Sequence, residues 1–134
     1  MFSKTTVALI TAVSACTDPD CTLTFEQLCN QNGFKYETHT VTTEDGYILE
    51  MMRIPGMLGE QGTITKPPVF MQHGLFDSAD AFIMNYEQNA PAFIAAKAGY
   101  DVWLGNTRGN KYSRKHVTLN PNINREKFWD FDFT

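Results

Sequence analysis

One apolar run that stops abruptly at a His-Gly pair constrains this chain more than anything else in it. Val69-Phe-Met-Gln-His-Gly-Leu75 reads as a short buried strand, entered from Pro67-Pro68, which holds the preceding backbone extended. Gly74 then allows a sharp turn with no side chain in the way. A loop of this shape can aim backbone N–H groups at a negative charge that develops during a reaction. Further along, Asp101-Val-Trp-Leu104 reads as a second strand, and it too opens into a polar loop, Asn106-Thr-Arg-Gly-Asn-Lys-Tyr-Ser-Arg-Lys-His116. Between them, Asn89-Ala-Pro91 has the form of a helix start, with Asn as cap and Pro in the first turn. Ala92 to Ala98 continues that helix and Gly99 closes it. A strand–helix–strand unit follows, with a right-handed crossover expected.

The rest of the chain supports an α/β arrangement. Thr24 and Gln27 have capping-box spacing ahead of a short helix over 24–32, with Phe25, Leu28 and Cys29 on one face and Gly33 at its end. Lys35 to Thr43 alternates and is rich in Thr, Glu44-Asp-Gly46 is a turn, and Tyr47 to Ile54 returns as the partner strand. Residues 57–66 are expected as a surface loop, 77–88 as irregular or briefly helical, and 111–124 as a polar loop. Glu126 to Phe133 concentrates three Phe and a Trp.

Residues 1–15 read as a cleaved secretory signal: Lys4, then an uncharged run from Thr5, with small residues at Val13-Ser-Ala15. That run is too short to span a bilayer, and no transmembrane segment is expected. Residues 16–134 are then one domain or part of one, bound for the secretory pathway and an extracellular or lysosomal destination. In that setting three cysteines, Cys16, Cys21 and Cys29, leave one without a partner within the chain. Cys21 and Cys29 are close enough for a local bridge, and the connectivity stays open. The net charge of −4 and the lack of a basic block exclude nucleic acid as a partner. His39, His73 and His116 are far apart and none has ligand spacing with a cysteine, so no metal and no cofactor is expected.

Four stretches in order carry a resemblance. They are Thr43-Glu-Asp-Gly-Tyr-Ile-Leu49, Met71-Gln-His-Gly-Leu-Phe-Asp-Ser78, Gly99-Tyr-Asp-Val-Trp-Leu-Gly-Asn-Thr-Arg-Gly-Asn110 and Phe128-Trp-Asp-Phe131. Together they resemble the N-terminal part of the acid lipases, the family of the gastric and lysosomal enzymes, built on the α/β-hydrolase fold. The resemblance covers residues 25–133. It implies the first strands and first crossover helix of an incomplete α/β-hydrolase sheet, and a whole protein that hydrolyses triacylglycerols or sterol esters through a serine acyl-enzyme. It also implies that the strand ending in His73 lies beside the nucleophile strand. A chain without that neighbour would expose a hydrophobic sheet edge and self-associate.

By the same resemblance the N–H of Leu75 is an oxyanion-hole donor. His73 reads as a buried histidine that orders the loop with Gly74. Asn106, Arg108 and Gly109 read as a brace beneath the site, in preference to a phosphate or carboxylate clamp. Phe76, Phe82, Ile83 and Met84 read equally as an acyl pocket or as core. Hydrolases of this fold carry their nucleophile in Gly-x-Ser-x-Gly, with the acid and histidine following it. Ser78 and Ser113 lack those glycines, and a Ser113–His116 dyad is not expected. The triad is therefore absent from these residues, and the chain alone is expected to be inactive. Rival readings are a non-catalytic lipid- or partner-binding module, or one chain of a split hydrolase.

Overall fold

The computed structural model describes residues 18–60 and 65–132; the expected signal segment and Cys16 lie outside the described residues. Five strands form one mixed sheet: β1 (Glu37–Thr42), β2 (Tyr47–Ile54), β3 (Pro68–Gln72), β4 (Asp101–Gly105) and β5 (Lys115–His116). Among the described residues three α-helices accompany it: α1 (Phe25–Gln31), α2 (Pro91–Lys97) and α3 (Arg125–Phe128). The strand order is β1-β2-β4-β3, with β5 on β2. Pairing is antiparallel except between β3 and β4, which run parallel and are joined through α2.

The local reasons are legible. The Thr24 hydroxyl accepts from the Gln27 N–H at 3.2 Å while the Gln27 side chain accepts from the Thr24 N–H at 2.8 Å, so the box caps α1 from both sides. The β1–β2 hairpin turns through Gly46 at φ +92°, a region other residues resist. A Cβ on Gly46 would lie 2.8 Å from the His116 ring. That missing side chain is what lets β5 close against the hairpin, and Val117 N–H donates to the Gly46 carbonyl at 2.9 Å. The expected 111–124 loop thus contains a short strand. The helix start also differs from expectation. Ala90, not Asn89, is the N-cap of α2, and it makes no side-chain cap bond. Pro91 lacks an N–H that would need capping.

α2 sets Ala92, Phe93 and Ala96 against the sheet face formed by Met52, Ile54, Val102 and Leu104, all buried. The Phe93 ring stacks on Phe34 with centroids 4.6 Å apart. Cys29, on the inward side of α1, is a free thiol in this core, and burial first, then the Glu26 charge, push its pKa up to about 12. Cys21 is disulfide-bonded, so the local Cys21–Cys29 bridge is not formed.

β3 is less buried than its apolar sequence suggests. Val69 and Met71 pack on the core, but Phe70 is 58% exposed, because β3 ends the strand order and its second face is uncovered. On that second face, Arg53 grips Asp101 through two bonds of 2.8 and 3.0 Å, donates to Glu37 at 2.9 Å, and lies 5.0 Å over the Trp103 ring.

Candidate active site

The parallel pair β3 and β4 ends on one side of the sheet, so the loops that follow them, 73–78 and 106–113, are brought together. His73 is buried where they meet. Its Nε2 accepts the Thr107 backbone N–H at 3.1 Å, and the Asn110 amide reaches the same nitrogen at 3.2 Å. A backbone N–H can only donate, so Nε2 carries a lone pair and the ring proton sits on Nδ1. Nδ1 then donates to the Gly74 carbonyl at 2.7 Å.

Asn106 is the second node, 3% exposed. Its Oδ1 accepts from Ala79 N–H at 3.0 Å and from the Asn110 amide at 2.8 Å, and its Nδ2 donates to the Glu50 carbonyl at 3.0 Å. One side chain thereby ties β2, the loop after β3 and the loop after β4. Asn110 in turn accepts Tyr112 N–H at 3.0 Å and Ser113 N–H at 2.9 Å.

Between the loops lies a cavity of about 460 Å³. Leu75, Phe76, Ser78, Gly109 and Trp129 are among the residues that line it. Leu75 is 72% exposed, and no hydrogen bond holds its N–H among the described residues. Phe76 follows at φ +63°, a strained conformation for a side chain of its size, and is 99% exposed. Asp80 sits behind the loop, accepting from Ser78 Oγ at 2.7 Å and Tyr112 hydroxyl at 2.6 Å and paired with Lys111. Burial works to raise its pKa, but the Lys111, Ser78 and Tyr112 bonds together win and lower it.

The comparisons with known proteins fit this arrangement. Residues 25–86 match the family described as a partial alpha/beta-hydrolase lipase region. The chain is 46% identical over 115 residues to human lipase member K, covering 85% of this chain and 28% of that protein. It is 46% identical over 116 residues to human gastric triacylglycerol lipase, covering 86% and 29% respectively. Against lipase 1 of Drosophila melanogaster it is 47% identical over 114 residues, covering 85% and 24%. Residues 25–86 carry the partial α/β-hydrolase lipase region, and most of the chain is similar to lipases of the gastric type. The chain spans between a quarter and a third of the length of most of these relatives, and a little less of the insect one.

Within this lipase region the structure sorts the residues read from sequence. His73, Gly74, Leu75, Asn106, Arg108 and Gly109 gather at the two loops. Arg108 pairs across the hairpin turn with Asp45, an acidic partner the sequence alone did not reveal, and lies 4.7 Å over the Tyr47 ring. Bonds from the Thr43 side chain and then Arg108 hold the Asp45 carboxyl below its usual range. Gly109, at φ +85°, lets Trp129 pack where a Cβ would stand. The aromatic group divides: Phe76 lines the cavity, Ile83 and Phe82 belong to the core, and Met84 faces a separate 250 Å³ cavity beside Tyr86. Ser113 is fully buried, accepting from Glu50 N–H at 2.9 Å, while His116 accepts from Thr118 and Leu119 N–H groups, so the two form no dyad. Asn110 and Asp80 were missed. The only available signal for Asn110 was its place in Asn-x-Arg-Gly-Asn, a loop whose polar residues outnumber what a solvated turn needs.

Proposed function

We propose that this region supplies the oxyanion half of a serine carboxylic ester hydrolase of lipid metabolism. In this reading the Leu75 N–H donates to the oxygen of the tetrahedral intermediate, and the cavity beside Phe76 takes part of the acyl chain. The observation that carries it is that Leu75, whose N–H has no hydrogen-bond partner among the described residues, lines a 460 Å³ cavity on a loop pinned by His73 and Asn106. Donors fixed before charge develops are what oxyanion stabilisation needs, and each is worth roughly 3 kcal/mol of barrier. Its ester substrate would be a triacylglycerol, by likeness to gastric triacylglycerol lipase, or a sterol ester. The nucleophile, acid and triad histidine are not among these residues, so the sheet and site are incomplete and the chain alone does not turn over. A disulfide at Cys21 suits the oxidising secretory route, with an extracellular or lysosomal destination. The edge of β3, with Phe70 exposed beside it, favours self-association of the chain by strand pairing.

The test is an ester-hydrolysis assay of the purified chain on a short-chain p-nitrophenyl ester and on a triacylglycerol emulsion. No turnover above buffer is expected. Turnover that a serine-reactive phosphonate titrates stoichiometrically would overturn the reading.

A further inference from the structure

We infer that Asn110 and His73 act as positioning residues that orient and polarise the Gly74–Leu75 peptide, through a relay that begins on β2. The inference rests on the oxyanion role proposed for Leu75 and adds how that donor is held. Every link has a direction set by a backbone group whose role is unambiguous. The Glu50 carbonyl can only accept, so Asn106 presents Nδ2 to it at 3.0 Å. Ala79 N–H can only donate, so Asn106 presents Oδ1 to it at 3.0 Å. The N–H groups of Tyr112 and Ser113 occupy Asn110 Oδ1, so Asn110 Nδ2 is the end that faces Asn106 Oδ1 at 2.8 Å and His73 Nε2 at 3.2 Å. The Thr107 N–H on the same nitrogen fixes the tautomer, and Nδ1–H reaches the Gly74 carbonyl at 2.7 Å.

That carbonyl and the Leu75 N–H belong to one peptide unit. No cis bonds occur among the described residues, so the two groups point in opposite directions across the same plane. Holding the oxygen on the His73 side aims the N–H away from it. Donation to the carbonyl also shifts charge through the peptide and strengthens its N–H as a donor. Gly74 and Leu75 are exposed and in no strand or helix, and the only other bond on the Gly74 carbonyl among the described residues is a longer one, 3.3 Å from the Asp77 N–H, so without His73 that turn bond alone would hold the plane. The relay explains why a buried histidine, an asparagine pair and a Gly-turn loop coincide here with no reactive group among them.

The test is solution NMR on the whole chain, at a concentration below that at which it associates. In the unaltered protein, long-range nitrogen–proton correlation is expected to show the Nδ1–H tautomer of His73. The Leu75 amide is expected to have an order parameter near the rigid-backbone value of about 0.85. In His73→Ala the Leu75 value should fall below about 0.6 while Val102 and Leu104 keep theirs. In His73→Asn, which keeps a donor near the Nδ1 position, much of the order should return. In Asn110→Asp the carboxylate should draw a proton onto Nε2 and displace the Thr107 N–H. An Nε2–H tautomer in the unaltered protein, or a Leu75 amide equally ordered without His73, would overturn the relay. Neither readout requires an ester or a nucleophile. The relay can therefore fail while the oxyanion assignment stands, and an active lipase carrying this region that keeps its rate when the Leu75 N–H is removed would sink that assignment while leaving the relay intact.

Discussion

Replacing Asn106 with alanine removes the node that joins three segments, and its cost can be worked out bond by bond. The Ala79 N–H, on a residue with no exposed surface, loses its partner outright. A buried donor left unpaired costs about 1–3 kcal/mol. The Glu50 carbonyl loses its Asn106 donor at 3.0 Å but is only half-buried, so water recovers part of that bond. Asn110 Nδ2 keeps His73 as a partner and contributes little. Together these give about 3 kcal/mol, a large fraction of the roughly 5–15 kcal/mol that a domain has in total. Urea melts read by circular dichroism would measure it. The midpoint should fall while the slope is unchanged, because the surface exposed on unfolding is the same. The control is Asn122→Ala, which removes only an exposed 3.0 Å bond from Arg114 and should stay within about 0.5 kcal/mol of the parent. A loss under about 1 kcal/mol at Asn106 would mean that the loops are held by something other than this network.

Other expectations follow from single features. Gly109→Ala combines a φ of +85° with a Cβ 2.5 Å from the Trp129 ring, so it should cost about 2–4 kcal/mol in the same melts and raise the accessibility of Trp129 to quenchers. Stability should decline on acidification: Asp101, chiefly through its Arg53 bonds, and Asp80 both have lowered folded pKa values. Their contribution is full above the unfolded carboxylate pKa of about 4 and is lost as pH falls below it. Asp101→Asn should flatten that decline, and an unchanged acid profile would show that the Arg53 pair does not set it. Phe70→Lys places a charge beside the free edge and should shift sedimentation toward monomer with little change in midpoint, since Phe70 is mostly exposed.

Much of the fold was readable because its signals are local. The capping box of α1, the Asp-Gly turn between β1 and β2, and the apolar runs of β3 and β4 are set by neighbours in sequence, and each appears where periodicity and turn chemistry put it. What escaped reading depends on distant partners. Arg108 finds Asp45 across 63 positions, and β5 exists only because Gly46 leaves room for His116. β3 read as buried because composition reports hydrophobicity, whereas its exposure follows from being the last strand in the order. At the site, the position of His73 directly after the β3 strand was legible. Its tautomer was not, since that is decided by a Thr107 backbone group and an Asn110 amide 37 positions away.

The central claim is that Leu75 presents a prepared N–H to an ester oxyanion once a nucleophile is supplied. The most direct measurement is made in a chimera, with residues 25–132 of this chain replacing the matching stretch of human gastric triacylglycerol lipase, to which it is 46% identical. The chimera is expected to hydrolyse triacylglycerol. Leu75→Pro, which removes the N–H, is expected to lower kcat by roughly 10²–10³ with the melting midpoint little changed. A well-folded Leu75→Pro chimera within tenfold of its parent would show that the N–H of Leu75 does not hold the oxyanion.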